Sequence, residues 1–198
     1  MKIIDISAEI KEGMPVWPKT RGVDINFNPQ GTVVRLNVHT GIHLDAPLHF
    51  IKDGAPIDKI PLEKLIGQAA VVYLPKIKII SALDLENLRL PKKTTRLLFK
   101  TSNSKFKERK FRKDFVGLNQ EAALWIIKRG IQLLGIDYLS IASYNQTSKV
   151  HRILLKNKVV VLEGLNLSKV KAGDYQLICL SLKLSGIEAA PARAILVS

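Results

Sequence analysis

Apolar and polar positions along this chain switch between a two-residue and a helical rhythm, and the alternation of the two predicts an α/β protein. Lys2–Ser7 reads as a first strand, and Val33–Val38, rich in β-branched residues, as a second. Ala69–Leu74 reads as a buried strand and Arg96–Lys100 as a short one. Ile131–Ile136, Val159–Leu162, Tyr175–Leu184 and Ala194–Val197 follow as later strands. Helical signals lie between them. Ser81–Leu88 has Ser81 as an N-cap and acidic residues in its early turns. Asn119–Arg129 is the clearest helix: Asn119 can cap it, Glu121 lies in its first turn and Gly130 ends it. Pro61–Ile66 suits one helical turn or two. Glu12–Pro18, with its prolines, is irregular, and Ile51–Gly54 carries a turn signal.

Nothing in the pattern divides the chain. No internal repeat, low-complexity tract or linker interrupts it, so residues 1–198 are expected to form one domain with a core of its own. No apolar run reaches the roughly 20 residues of a membrane span. The N-terminus lacks the long apolar region of a signal peptide. Both point to a soluble, cytoplasmic protein. The single cysteine, Cys179, stands in an apolar run and reads as core rather than nucleophile.

The net charge of +14 raises the question of nucleic acid. The densest basic stretch, Lys105–Lys113, holds two phenylalanines among its lysines and arginines. No RRM, KH, zinc-finger or helix-turn-helix signature accompanies it. A solvated loop anchored by Phe106 and Phe111 is the better reading, because lysine is abundant along the whole chain. This argues against a nucleic-acid partner, although a positive field still attracts anionic substrates.

The chemistry concentrates in the histidines. There are four. Three of them, His39, His43 and His49, share one short segment with Asp45, and the fourth, His151, precedes Glu163. Imidazole and carboxylate are the usual ligands of zinc and similar divalent ions. His39, His43, Asp45 and His49 all occupy odd positions, which share a face on an extended chain. A helix would also bring His39 and His43 together, but Gly41 and Pro47 argue against one through the segment. The expectation is a strand that enters an irregular, proline-turned segment and lays its donors along one wall. A lone histidine would read as an ordinary hydrogen-bonded one. This cluster points to a metal or catalytic site.

The stretch His39-Thr-Gly-Ile-His43-Leu-Asp45-Ala-Pro47-Leu-His49 resembles the signature of the cyclase family of metal-dependent hydrolases, His-x-Gly-Thr-His-x-Asp-x-Pro-x-His. That family includes kynurenine formamidase (arylformamidase) and isatin hydrolase. The resemblance extends to Gly13-Met-Pro-Val-Trp17-Pro, Phe115–Ala123, Leu134–Ile141, Val150–Leu155, Leu162–Leu165 and Gly186–Ala194. It implies a single α/β domain with a β-barrel-like core and flanking helices, a swivelling β/β/α-like fold. It implies that His39, His43 and Asp45 bind one metal and that His151 and Glu163 complete the site. Asp45 or Glu163 would bridge to a second ion. Zinc or manganese, one or two per subunit, would serve, and a donor set of nitrogen and oxygen without thiolate suits either. His49 would be the catalytic acid/base, with a further ligand role as the alternative.

The activity implied is amide hydrolysis by a metal-bound hydroxide with a histidine acid/base. Arylformamidase comes first, converting N-formylkynurenine to kynurenine and formate in tryptophan catabolism. A cyclic-amide, isatin-type hydrolase is the first alternative. A basic, non-catalytic RNA- or partner-binding module with a vestigial site is the second. The partner is expected to be a small-molecule amide, and the chain to form a homo-oligomer, dimer or tetramer. Trp17 and Phe50 are candidate substrate-binding walls, each with a packing role as the alternative, whereas Trp125 reads as helix packing. The sequence departs from the family at Ile42, where threonine is usual, and at Ala8, Lys19-Thr20, Leu98–Asn103 and Glu188, so the periphery of the pocket differs while the donor set is complete.

Overall fold

The computed structural model describes residues 1–106 and 110–198. Ten strands are assigned among them: β1 (Ile3–Asp5), β2 (Asp24–Asn26), β3 (Val33–Arg35), β4 (His43–Asp45), β5 (Ile66–Leu74), β6 (Arg96–Thr101), β7 (Leu133–Ile136), β8 (Val160–Glu163), β9 (Gly173–Ser181) and β10 (Ala189–Val197). The α-helices are α1 (Leu62–Leu65), α2 (Ala82–Glu86), α3 (Gln120–Lys128) and α4 (Thr147–Lys156).

Seven strands close on themselves in the order β10-β4-β8-β7-β6-β5-β9, with β9 returning to pair with β10. β5, β6, β7 and β8 run parallel, and the other pairings of the ring are antiparallel. β1 extends the sheet by pairing with the far end of β10, Ile3 opposite Val197. The ring is the closed β-barrel of a single α/β domain, and closure removes the exposed edges of an open sheet.

Strand periodicity sorts the apolar side chains into two cores. Ala69, Val71, Leu98, Leu133, Val160 and Leu162 point into the barrel with Leu44, Leu177 and Cys179. The intervening Ala70, Leu97, Phe99, Leu134, Ile136 and Val161 point outward and meet the helices. There α3 contributes Ala122, Ala123 and Ile126, and α4 contributes Val150, Leu154 and Leu155. Because four central strands are covered on both faces, they read as near-continuous apolar runs rather than alternating ones. Trp125 packs against this outer core, as helix spacing suggested. Cys179 is buried inside the barrel, and burial pushes its thiol up to about 12.

Local chemistry sets the helix ends. Ser81 and Asp84 form a capping box at the start of α2. Asn119 Oδ1 accepts from Ala122 N at 2.9 Å to cap α3, and Gly130 follows its last turn with φ +75°. Among the described residues no helix is long and apolar enough to cross a membrane.

Three elements depart from the sequence pattern. The strand expected over Val33–Val38 stops at Arg35 and pairs only with β2, in a separate two-stranded ribbon. Asn37 ends it: its Oδ1 accepts from His39 N and its backbone carbonyl from Thr40 N, both at 2.9 Å, which turns the chain. β10 begins at Ala189 rather than Ala194, since Pro191 pairs toward β4 without needing an N–H. The helix α4 was not anticipated. It begins without a side-chain cap and with a β-branched Thr147, so the usual start signals are missing.

Candidate metal centre

β4 and β8 lie side by side and antiparallel, with His43 opposite Glu163 and Asp45 opposite Val161. Leu44 and Leu162 fill the barrel. Their neighbours His43, Asp45 and Glu163 therefore point outward, toward the helical layer. There α4 brings His151, on the same face as Val150, Leu154 and Leu155. His39 comes from the turn before β4, and His49 from the single 3-10 turn Pro47–His49 after it. The one-wall expectation thus holds for His43 and Asp45 alone, and turns supply the other two.

The donor atoms converge. His43 Nε2 lies 3.2 Å from Glu163 Oε2 and 3.6 Å from Asp45 Oδ1. His151 Nε2 lies 3.0 Å from Glu163 Oε1 and 3.6 Å from Asp45 Oδ2. His39 Nδ1 is 3.0 Å from Asp45 Oδ1. Two overlapping triads result, His39–His43–Asp45 and Asp45–His151–Glu163, each with donors within 4.8 Å of one another. Asp45 belongs to both, one oxygen toward each. All five donors named by the sequence are brought together.

Each ring is also held from behind. His43 Nδ1 is 3.0 Å from Gly41 O, and His151 Nδ1 is 2.7 Å from Thr147 O. A carbonyl can only accept, so both Nδ1 atoms carry a proton, and Nε2 is the atom that each ring turns to the cluster, where its loss of a proton frees a lone pair for a cation. Ile141 N donates to Glu163 Oε1 at 2.7 Å and fixes that carboxylate.

Whether the set fits a cation can be read from its unpaired atoms. His43 Nε2 and both Asp45 oxygens are buried without an aligned hydrogen bond among the described residues. A buried carboxylate left so is costly, and a divalent ion held between the rings and the carboxylates satisfies it. The donors are nitrogen and oxygen only, as for zinc or manganese. The set fits.

Electrostatics point the same way. Burial alone would raise the Asp45 pKa, but the rings of His39, His43 and His49 hold it well below the usual carboxylate range. Burial opposes protonation of His43, yet Glu163 and Asp45 outweigh it and raise the ring to about 9. Burial lowers the pKa of His49, and the neighbouring His39 and His151 add to the effect against the pull of Asp45 and Glu163. His49 is half-buried, as is His39, and its ring lies 4.2 Å from that of His39 and 6.1 Å from that of His151.

The two aromatic candidates separate. Phe50 contacts the rings of His49 at 4.3 Å and His151 at 5.2 Å, with its other side on the outer core. Trp17 contacts Phe111, Phe115 and Tyr144 instead, in a cluster that also holds Tyr138 and Phe106. Phe106 and Phe111 thus anchor the basic loop as expected, and Arg112 and Lys113 lie over the Phe106 and Tyr144 rings. Residues 107–109 of that loop lie outside the described residues. Ile42, where threonine is usual, packs inside the barrel away from the donors.

Two contacts of the site were not foreseen from sequence, which marks Glu188 only as a departure from the family and Gly164 not as a crossing. Glu188 Oε1 stands 3.5 Å from His39 Nε2. Gly164, directly after Glu163, crosses Gly41 so closely that a Cβ there would lie 2.2 Å from Gly41 O. Beyond this crossing opens a cavity of about 760 Å³, lined by Gly41, Gly164, Asn103, Asp137 and Tyr138 among others. None of the donors lines it, so it is separate from the metal centre.

Residues 4–143 match the family described as Putative cyclase. The chain belongs to the cyclase family. Within that family it is 35% identical to Cyclase-like protein 3 of Oryza sativa subsp. japonica, over 99% of this chain and 80% of the relative. The chain superposes with a TM-score of 0.90 on a solved structure described as a potential metal-dependent hydrolase with cyclase activity, at 34% identity, covering 98% of this chain and 96% of the other. Isatin hydrolase A from Labrenzia aggregata shares the fold at a TM-score of 0.82 and 21% identity, over 99% and 93% of the two chains.

Proposed function

We propose that this cyclase-family chain is a metal-dependent hydrolase of non-peptide carbon–nitrogen bonds, and that arylformamidase activity is its first candidate reaction. The observation that carries the reading is the convergence of His39, His43, His151 and Glu163, all buried or half-buried, around Asp45, with His49 beside them and outside both triads. His39, His43, Asp45, His151 and Glu163 would hold the ion. When bound, a divalent cation acidifies water and polarises a carbonyl oxygen.

The chain's own residues supply the proton chemistry. The lowered pKa of His49 keeps its ring neutral at neutral pH, so it can take a proton from the attacking water. It then returns that proton to the leaving nitrogen. The water oxygen bonds to the carbonyl carbon, the carbon–nitrogen bond breaks, and amine and carboxylic acid leave. Phe50, against both His49 and His151, is the wall assigned to an aryl group. Trp17 lies in its own cluster, so an aromatic sandwich of Trp17 and Phe50 is not part of this proposal.

The likeness to isatin hydrolase A supports cyclic-amide hydrolysis as a second reading, in which the same proton transfer opens a ring. The test is a zinc- or manganese-loaded preparation offered N-formylkynurenine and isatin in parallel. Formate release from the first supports arylformamidase. Turnover of isatin alone moves the assignment to the cyclic amide. Inactivity on both, with metal bound, overturns both substrate assignments, and inactivity on every amide tried with either metal favours the binding-module reading.

A further inference from the structure

We infer that Glu188 is a positioning residue for His39: it accepts from Nε2–H and so turns Nδ1 toward Asp45. The inference rests on the metal-binding part of the function proposed above. Its basis is a pattern shared by the three converging rings. Each has one nitrogen in the cluster and the other turned toward an outer oxygen. For His43 and His151 the inner atom is Nε2, and the outer acceptors are the Gly41 and Thr147 carbonyls. His39 is reversed. Its Nδ1 faces Asp45 Oδ1 at 3.0 Å, and the group beyond Nε2 is the Glu188 carboxylate at 3.5 Å.

The fold fixes Glu188 there. Its backbone carbonyl accepts from Ala46 N at 2.9 Å, and the next residue, Ala189, is the register partner of Asp45. The same strand pairing that places the shared carboxylate therefore places the acceptor behind the third ring. The arrangement matters most for His39, which comes from a turn and is the more exposed donor, with 21% of its side chain accessible against 1% for His43. A carboxylate behind a ligating histidine selects its tautomer, fixes its ring and increases its basicity as a ligand, and removing such a partner typically weakens metal binding about 10–100-fold.

The experiment compares wild type, Glu188→Ala and Glu188→Gln in the full chain. Zinc and manganese affinities are read by chelator competition, and the His39 imidazole nitrogens by ¹⁵N NMR in the metal-free protein. Glu188→Ala is expected to weaken binding about 10–100-fold, to shift the His39 resonances, and to leave the metal-free melting temperature unchanged. Glu188→Gln, which keeps an acceptor oxygen, is expected to recover most of the affinity. Wild-type affinity in Glu188→Ala overturns the inference. So does a loss as complete as that of His39→Ala, which would make Glu188 a ligand. If wild type binds neither ion, the metal reading itself fails. The NMR comparison then decides the contact, since unmoved His39 resonances in Glu188→Ala overturn it independently.

Discussion

His43 and Glu163 are register partners across the β4–β8 pair, and their side chains meet outside the barrel at 3.2 Å, Nε2 to Oε2. A single antiparallel pairing thereby joins two parts of the sequence separated by most of the chain. Asp45, two residues along β4, then stands within reach of all three converging rings.

Metal content should follow Asp45. Because it belongs to both triads, Asp45→Ala removes a donor from each and leaves His43 and His151 facing Glu163 alone. Loss of metal and activity together is expected. The Asp45→Ala, Glu163→Ala double variant should bind none. Full occupancy of that variant by elemental analysis would defeat the assignment.

His49 should act after metal binding. It lies outside both triads, in ring contact with His39 and Phe50. His49→Ala should keep most of its metal while kcat falls on the order of 10²–10⁴-fold, the range of a general acid/base. The acid limb of the wild-type profile should lie below the ordinary histidine value of 6.5, because burial lowers its pKa. Metal content falling in step with activity would make His49 a ligand instead.

Stability of the metal-free protein should decline in alkali. His43 is raised from 6.5 to about 9 by Glu163 and Asp45 acting against burial, and His151 is shifted in the same direction. A raised histidine contributes stability that is complete below the unfolded value, near 6.5, and lost as pH rises through the folded one, about 9. A ligating imidazole must be neutral, so the loaded protein gains nothing from that protonation. The urea midpoint of chelator-treated protein should therefore fall between about pH 6.5 and about pH 9.5, and that of loaded protein should not show this decline. Equal slopes in the two forms would refute the charged His43–Glu163 pair.

The donor set was legible because metal chemistry draws on few residue types, and this chain spends all its histidines on one place. The barrel strands β5 to β8 were legible from their apolar runs. What the sequence did not show was geometry made by pairing partners. The sequence marks Glu188 only as a departure from the family pattern, and its place beside His39 emerges when β10 pairs with β4. His39 was assigned to a continuing strand because the alternation of Val33–Val38 outweighed the turn chemistry of Asn37. α4 was hidden by its uncapped start, although Val150, Leu154 and Leu155 have helical spacing. Trp17 in its rigid loop reads the same whether it faces a substrate or, as here, Phe111 and Tyr144.

Gly164 should tolerate no side chain. It has φ +76°, and a Cβ would lie 2.2 Å from Gly41 O and 2.6 Å from Gly41 C, backbone atoms that cannot swing aside. Gly41 O is also the acceptor behind His43, and Gly164 follows Glu163 directly. Relief of the clash must then move two donors apart. Gly164→Ala should cost about 2–6 kcal/mol, the sum of left-handed backbone strain and overpacking, and should weaken metal binding as well. Gly130 provides the control, since it has nearly the same φ, +75°, with nothing within 4 Å of its Cβ position. Gly130→Ala should cost only the backbone part, about 1–2 kcal/mol, and leave metal affinity unchanged. Equal effects of the two substitutions on denaturation and on metal affinity would show that the crossing does not hold the centre together.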